Sequence, residues 1–272
     1  MTDVTDAPTP YAEVNALLRR LLDGARERLG RHLVGMYLYG SLAAGDFSPE
    51  SSDIDFLVVT DEDLTEEQFL SLKEMHARIA EAGGSKWVTE LEGSYIPLSA
   101  LRRYDPRDAR HPHIDRGGGR LDIEQHDTDW IVQRHVLRER GVALAGPPVE
   151  TLIDPLGSGE LLRGIVELLR VWWVPMVSDP TRLRSPGYRR YAVLTMCRML
   201  YTFRHGAVVS KPAAARWALT TLDDRWHGLI QRATARPGNE PPEDLDLTLE
   251  FIRYTSEVGA EVGVASAEGG GC

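Results

Sequence analysis

Apolar positions follow two different periods in the first part of the chain and only one in the second. Residues 11–29 carry apolar groups at helical spacing, which predicts an amphipathic helix covering a sheet. Residues 33–39 form a continuous apolar run and read as a buried strand, and a second run opens at Asp53-Ile54-Asp55 and continues through Phe56-Leu57-Val58-Val59. A helix is expected from residue 64 to about 82. Residues 86–92 alternate as a strand that ends near Ile96-Pro97. Residues 121–126 make another short strand, and Asp127 reads as the N-cap of a helix over 128–140 that buries Trp130, Ile131 and Val132 or their neighbours. Residues 141–148 supply a last short strand and an exit turn. The stretch 102–119 is dense in Arg, Asp, Pro, Gly and His, so it is expected as a mobile excursion outside the core, serving either as a lid over 111–119 or as an ordinary surface loop.

Beyond Asp154-Pro155 only the helical period remains. Five helices are predicted at 161–173, 187–204, 211–222, 225–234 and 245–262, with Pro175 and Pro186 bounding the first gap and Pro212 in a first turn. Short connections between them predict a bundle. The expected organisation is an α/β domain over 1–150, a helical bundle over 156–265 and a disordered tail at 266–272.

Composition narrows the partners. With 31 basic against 41 acidic residues the 272-residue chain carries a formal charge of −10, which disfavours a nucleic-acid acceptor because a phosphate backbone calls for a basic stripe. A polycationic small molecule suits the charge better. The beginning of the chain shows no apolar signal region, and no apolar run reaches the 18 or more residues of a membrane span. Cys197 and Cys272 give no disulfide framework, and a cytoplasmic protein is expected. His111-Pro112-His113 reads as a solvent-facing loop pair rather than a metal site.

The chemistry concentrates where the first two strands end and begin. A strand repeats every two residues, so Asp53 and Asp55 project from one face while Ile54 points to the other. Converging carboxylates are costly without a cation between them, and hard oxygen ligands suit Mg²⁺, which takes its remaining ligands from water and substrate phosphates. Upstream, Gly40-Ser41 follows directly on the first strand. The glycine permits a tight turn and a close backbone approach, and the Ser41 hydroxyl with the amides of a short helix at 42–45 is suited to phosphate oxygens. A serine-rich approach at 48–52 leads into the Asp pair. On the alternating segment 86–92, Glu90 and Glu92 share a face, and either is placed to serve as general base or to complete a second metal position.

The composite GSLAAGDFSPESSDID resembles the nucleotidyltransferase superfamily that includes DNA polymerase beta, poly(A) polymerases and the aminoglycoside nucleotidyltransferases. The resemblance implies a polymerase-beta-like domain with a mixed sheet. It also implies transfer of a nucleoside monophosphate from a triphosphate, with ATP as co-substrate, to an acceptor hydroxyl with release of pyrophosphate. The run Leu91-Glu92-Gly93-Ser94-Tyr95 is similar to the place where the streptomycin/spectinomycin adenylyltransferases carry their catalytic glutamate, which selects Glu92 over Glu90. The α/β half followed by a helical half resembles the same enzymes, in which the nucleotide lies between the halves. On that resemblance Lys211 falls at the family's triphosphate-contacting lysine and Arg198 at another basic position, where it would neutralise phosphate or pair with a carboxylate. Trp172 and Trp173 lie near the acceptor-binding tryptophan.

The segment Pro186-Gly187-Tyr188-Arg189-Arg190-Tyr191 departs from the family, which places an acidic residue and an amide there to hold the drug. Tyr188, Tyr191 and two arginines present a bulkier and more positive wall, so a cationic aminoglycoside is expected to be less welcome. Two further readings stand beside this one: a sugar-nucleotide transferase using Asp-x-Asp for a metal-bound diphosphate, and an antitoxin-like binding module that has lost turnover.

Overall fold

In the computed structural model the chain divides into two compact units, Met1–Pro155 and Leu156–Cys272. The structure describes residues 8–49, 52–117, 119–235 and 244–268, with the side chains of 158 and 264–268 left aside.

The first unit is built on a six-stranded sheet in the order β5-β4-β3-β2-β1-β6. Its strands are β1 (Leu33–Leu38), β2 (Ile54–Thr60), β3 (Leu91–Pro97), β4 (Arg110–Ile114), β5 (Leu121–Gln125) and β6 (Val142–Ala145). β2 and β3 run parallel and every other pairing is antiparallel, so the sheet is mixed. The alternation of the strands divides the core in two. Met36, Leu38, Ile54, Phe56, Val58, Leu91 and Tyr95 pack under α1 (Ala12–Leu29) and α3 (Glu66–Glu81). On the other face Tyr37, Tyr39, Leu57, Val59 and Ile96 pack with α4 (Leu98–Arg102) and with Trp130 and Leu137 of α5 (Asp129–Arg140). The start of α3 is set by a capping box, in which Thr65 and Gln68 each accept from the other's backbone N–H at 3.2 and 2.9 Å.

Several expectations need correction. Residues 86–92 are not one strand: Lys86–Glu90 wind as a 3₁₀ turn, which Ser85 caps by accepting from the Trp87 N–H, and β3 begins at Leu91. The segment 102–119 is not wholly an excursion, because Arg110–Ile114 form β4, with His111 and Ile114 each 1% exposed. The strand was masked in the sequence by Pro112, which lies in it opposite Ile123 of β5. In α5 the N-cap position belongs to Thr128, while the Asp127 carbonyl accepts from the Trp130 N–H at 3.0 Å. That helix buries Trp130, Arg134 and Leu137 rather than Ile131 and Val132. Arg134 donates to the carbonyls of Leu101, Trp130 and Ala100, which is how a charged group sits 2% exposed.

The second unit is helical: α6 (Ser158–Leu168), α7 (Pro175–Ser178), α8 (Pro186–His205), α9 (Lys211–Thr221), α10 (His227–Thr234) and α11 (Asp244–Glu268). The residues expected to finish the first helix, Leu169–Trp173, widen into a π turn that leads into α7 at Pro175. α11 continues through Glu268, past the expected break at 266, and residues 269–272 lie outside the described residues. Among the described residues no helix is long and apolar enough to cross a membrane.

Candidate active site

Asp53 stands just before β2 and Asp55 is its second residue, both with the parity of Leu57 and Val59. The parallel register sets Asp55 beside Glu92, the second residue of β3. The three carboxylates therefore converge at the starts of two neighbouring strands, with one oxygen of each within 4.8 Å of the others. All three are half-buried. The helices on this face pack against Leu57, Val59 and Ile96, the later residues of the strands. Glu90 lies elsewhere, at the end of the 3₁₀ turn, where it accepts from Arg116. Register makes this distinction and periodicity does not, because the two glutamates stand on opposite sides of a boundary between elements.

The Gly-Ser turn reaches the same place from β1. The Tyr39 N–H donates to the Asp55 carbonyl at 3.2 Å, and α2 (Gly40–Ala44) starts at once, two residues earlier than the sequence suggests. Gly40 has φ +63°, and a Cβ there would lie 2.6 Å from the Asp55 carboxyl carbon. Only glycine meets both demands. The Ser41 hydroxyl is buried and has no hydrogen-bond partner among the described residues. In the approach to Asp53, Ser48 and Ser52 bond to each other, the Ser52 N–H donating to the Ser48 carbonyl at 2.9 Å and the Ser48 N–H to Ser52 Oγ at 3.0 Å; residues 50 and 51 of that loop lie outside the described residues.

Electrostatics mark one group the sequence did not single out. Burial raises the Tyr39 phenol well above its ordinary range, and the charges of Asp55, Glu92, Asp129 and Asp53 raise it further. Asp129, in the first turn of α5, thus acts on the same phenol as the three carboxylates. Burial, followed by the charge of Asp127, pushes its own carboxyl up to about 6. Its signal in the sequence was the repeated acid in Asp127-Thr128-Asp129, of which only the first was read, as a cap.

In the second unit, Trp173, Tyr188 and Tyr191 form a ring cluster with centroids 5.6–6.2 Å apart. Trp173 is 1% exposed, so it is a packing residue rather than a free acceptor platform, whereas Tyr191 is 41% exposed. Lys211 is the first residue of α9, where the Ser210 hydroxyl accepts from the Ala213 N–H at 3.3 Å, and its ammonium lies 4.4 Å from the centre of the Tyr191 ring. Arg198 sits half-buried on α8, and its carbonyl accepts from the Thr202 hydroxyl.

Comparison with known proteins agrees with this arrangement. Residues 18–136 match the nucleotidyltransferase domain family, and residues 154–257 match the C-terminal domain of aminoglycoside adenylyltransferase. The chain is 28% identical over 253 residues to an aminoglycoside (3'') (9) adenylyltransferase of Shigella flexneri, covering 89% of this chain and 94% of that one. It is 26% identical over 239 residues to a spectinomycin 9-adenylyltransferase of Staphylococcus aureus, covering 77% and 87%. In fold it is similar to the spectinomycin adenyltransferase AAD(9) from Enterococcus faecialis crystallised with ATP and spectinomycin, at a TM-score of 0.70 and 18% identity, with 89% and 98% covered. The mixed-sheet domain with its Gly-Ser turn and three converging carboxylates, followed by the helical domain, places the chain in the nucleotidyltransferase superfamily, with a C-terminal domain of the aminoglycoside adenylyltransferase kind.

Proposed function

We propose that the protein transfers AMP from ATP to a hydroxyl of a small acceptor of the aminoglycoside or aminocyclitol class, releasing pyrophosphate. The observation that carries this reading is the convergence of Asp53, Asp55 and Glu92 beside the Gly40-Ser41 turn. The donor set is oxygen only and half-buried, which fits Mg²⁺. Asp53 and Asp55 would hold the ion, with Glu92 as a further ligand or as base, and when bound it would supply charge neutralisation for the triphosphate.

The chain's own groups then have separable tasks. Gly40 lets the backbone approach Asp55, and the orphaned Ser41 hydroxyl is available to a phosphate oxygen. Glu92 accepts the proton of the attacking hydroxyl, whose oxygen forms a bond to the α-phosphorus as the bond to pyrophosphate breaks. Lys211 and Arg198 are the basic residues that the family resemblance assigns to the triphosphate, and within the second unit the Lys211 ammonium is steadied by the Tyr191 ring. Tyr191 and Tyr188 are acceptor contacts, supported from beneath by Trp173. A soluble, cytoplasmic setting fits such a reaction.

Incubation with Mg²⁺, each nucleoside triphosphate and a panel of aminoglycosides, followed by mass measurement of the acceptor, tests the proposal. An acceptor heavier by one nucleotidyl group, with stoichiometric pyrophosphate, is expected with ATP. Release of a nucleoside diphosphate would instead indicate a sugar-nucleotide transferase, and binding without turnover would indicate a silent module.

A further inference from the structure

A second cluster of ligating groups lies two strands from Asp55 on the same sheet. In the pairing of β4 with β5, His113 stands opposite Asp122 and His111 opposite Glu124, so His113 and Glu124 are diagonal neighbours on one face. Asp115 follows the last residue of β4. His113, Asp115 and Glu124 each bring a ligand atom within 4.8 Å of the other two, and His113 Nε2 lies 3.4 Å from Asp115 Oδ1. From these positions we infer a binding site for one zinc-class divalent ion, with His113 Nε2 and the carboxylates of Asp115 and Glu124 as its three protein ligands.

A second geometric feature carries the inference. The imidazole is already oriented: the fully buried Ser94, paired with His113 across β3 and β4, sits 2.7 Å from His113 Nδ1, which turns Nε2 toward the carboxylates. An outer partner on the second ring nitrogen is the arrangement that fixes a metal-binding histidine.

The neighbouring cations have other partners, Lys73 and Arg120 on Asp122 and Arg116 on Glu90. Zinc ligands about 2.0–2.1 Å from the ion at tetrahedral angles stand about 3.4 Å apart. The His113–Asp115 pair already has that separation, and the Asp115 side chain, 71% exposed beyond the strand end, is the one with room to adjust. Three protein ligands leave a position open to water, so the ion would be exchangeable. Nitrogen in the donor set separates this site from the all-oxygen cluster at Asp53, which suits Mg²⁺. The inference does not depend on nucleotidyl transfer.

The test is a zinc titration of the untagged full chain carrying Cys272→Ser, in excess Mg²⁺, against a chromogenic chelator. One ion per chain is expected, with affinity at least about tenfold weaker in Glu124→Gln and in Ser94→Ala and unchanged in the Asp53→Asn/Asp55→Asn variant. Co²⁺ in place of zinc should give visible absorption that Glu124→Gln abolishes, while thermal melting of that variant without metal stays at the wild-type midpoint. Absence of binding in the wild type, equal affinity in Glu124→Gln, or loss confined to the Asp53/Asp55 variant would each overturn the inference.

Discussion

Replacing Gly40 by alanine separates the two demands placed on that residue. The backbone cost of φ +63° for an L side chain is about 1–2 kcal/mol. The new Cβ would also lie 2.6 Å from the Asp55 carboxyl carbon and 3.2 Å from its Cβ, so the carboxylate must move, at a further cost of about 1–3 kcal/mol. Gly45 supplies the control, since it has φ +74° in the same turn but nothing within 4 Å of a Cβ. Gly45→Ala is therefore expected to lose only the backbone contribution, about 1–2 kcal/mol, and to keep its turnover. Gly40→Ala should lose about 2–5 kcal/mol, and displacing a reacting carboxylate by an ångström should lower turnover by about 10²-fold. Urea unfolding and pyrophosphate release, both read on the two variants, make the comparison. Equal loss of turnover in the two would refute the claim that Gly40 is needed for its approach to Asp55.

The remaining predictions concern pH and the second unit. Burial holds His76 down to about 4 and His126 to about 2, so both stay neutral in the folded chain while the unfolded chain takes up protons below about 6.5. Their contribution is present above that pH and is lost on acidification, by about 2 kcal/mol per imidazole between pH 7 and 5. Asp129 acts in the opposite sense: with its folded pKa at about 6, it returns about 1 kcal/mol over the same interval. A net loss of stability at pH 5 by urea titration is expected, and unchanged stability would contradict the burial of these imidazoles. Tyr191→Leu removes the ring beneath Lys211 at a 41% exposed position, so KM for ATP should rise about two- to fivefold, the size of a cation–π contact, with the melting point unchanged. An unchanged KM would detach Lys211 from the nucleotide.

Much of this architecture was legible in the residues because period and punctuation agree. The helical runs, the two apolar strands and the Gly-Ser turn each had a local signature, and Asp53 and Asp55 needed only the two-residue repeat of a strand. What the sequence left open was decided by register. Glu90 and Glu92 look equivalent until a 3₁₀ turn ends between them and β3 pairs Glu92 with Asp55. β4 was missed because Pro112 and its flanking histidines and charges resemble a loop, although pairing with β5 and burial of His111 make it a strand. Asp129 escaped notice because its distinguishing feature is burial, which no local pattern encodes. The ring cluster was foreseen as residues but not in its layering, with Trp173 beneath and Tyr191 outside.

The most direct test of the central claim follows the α-phosphorus. With ATP labelled there, Mg²⁺ and spectinomycin or streptomycin, the wild-type protein should pass the label to the acceptor, and the folded Asp53→Asn/Asp55→Asn variant should pass none. Label reaching the acceptor from that variant at the wild-type rate, or transfer of the γ-phosphate instead, would contradict the assignment of the reaction to these carboxylates.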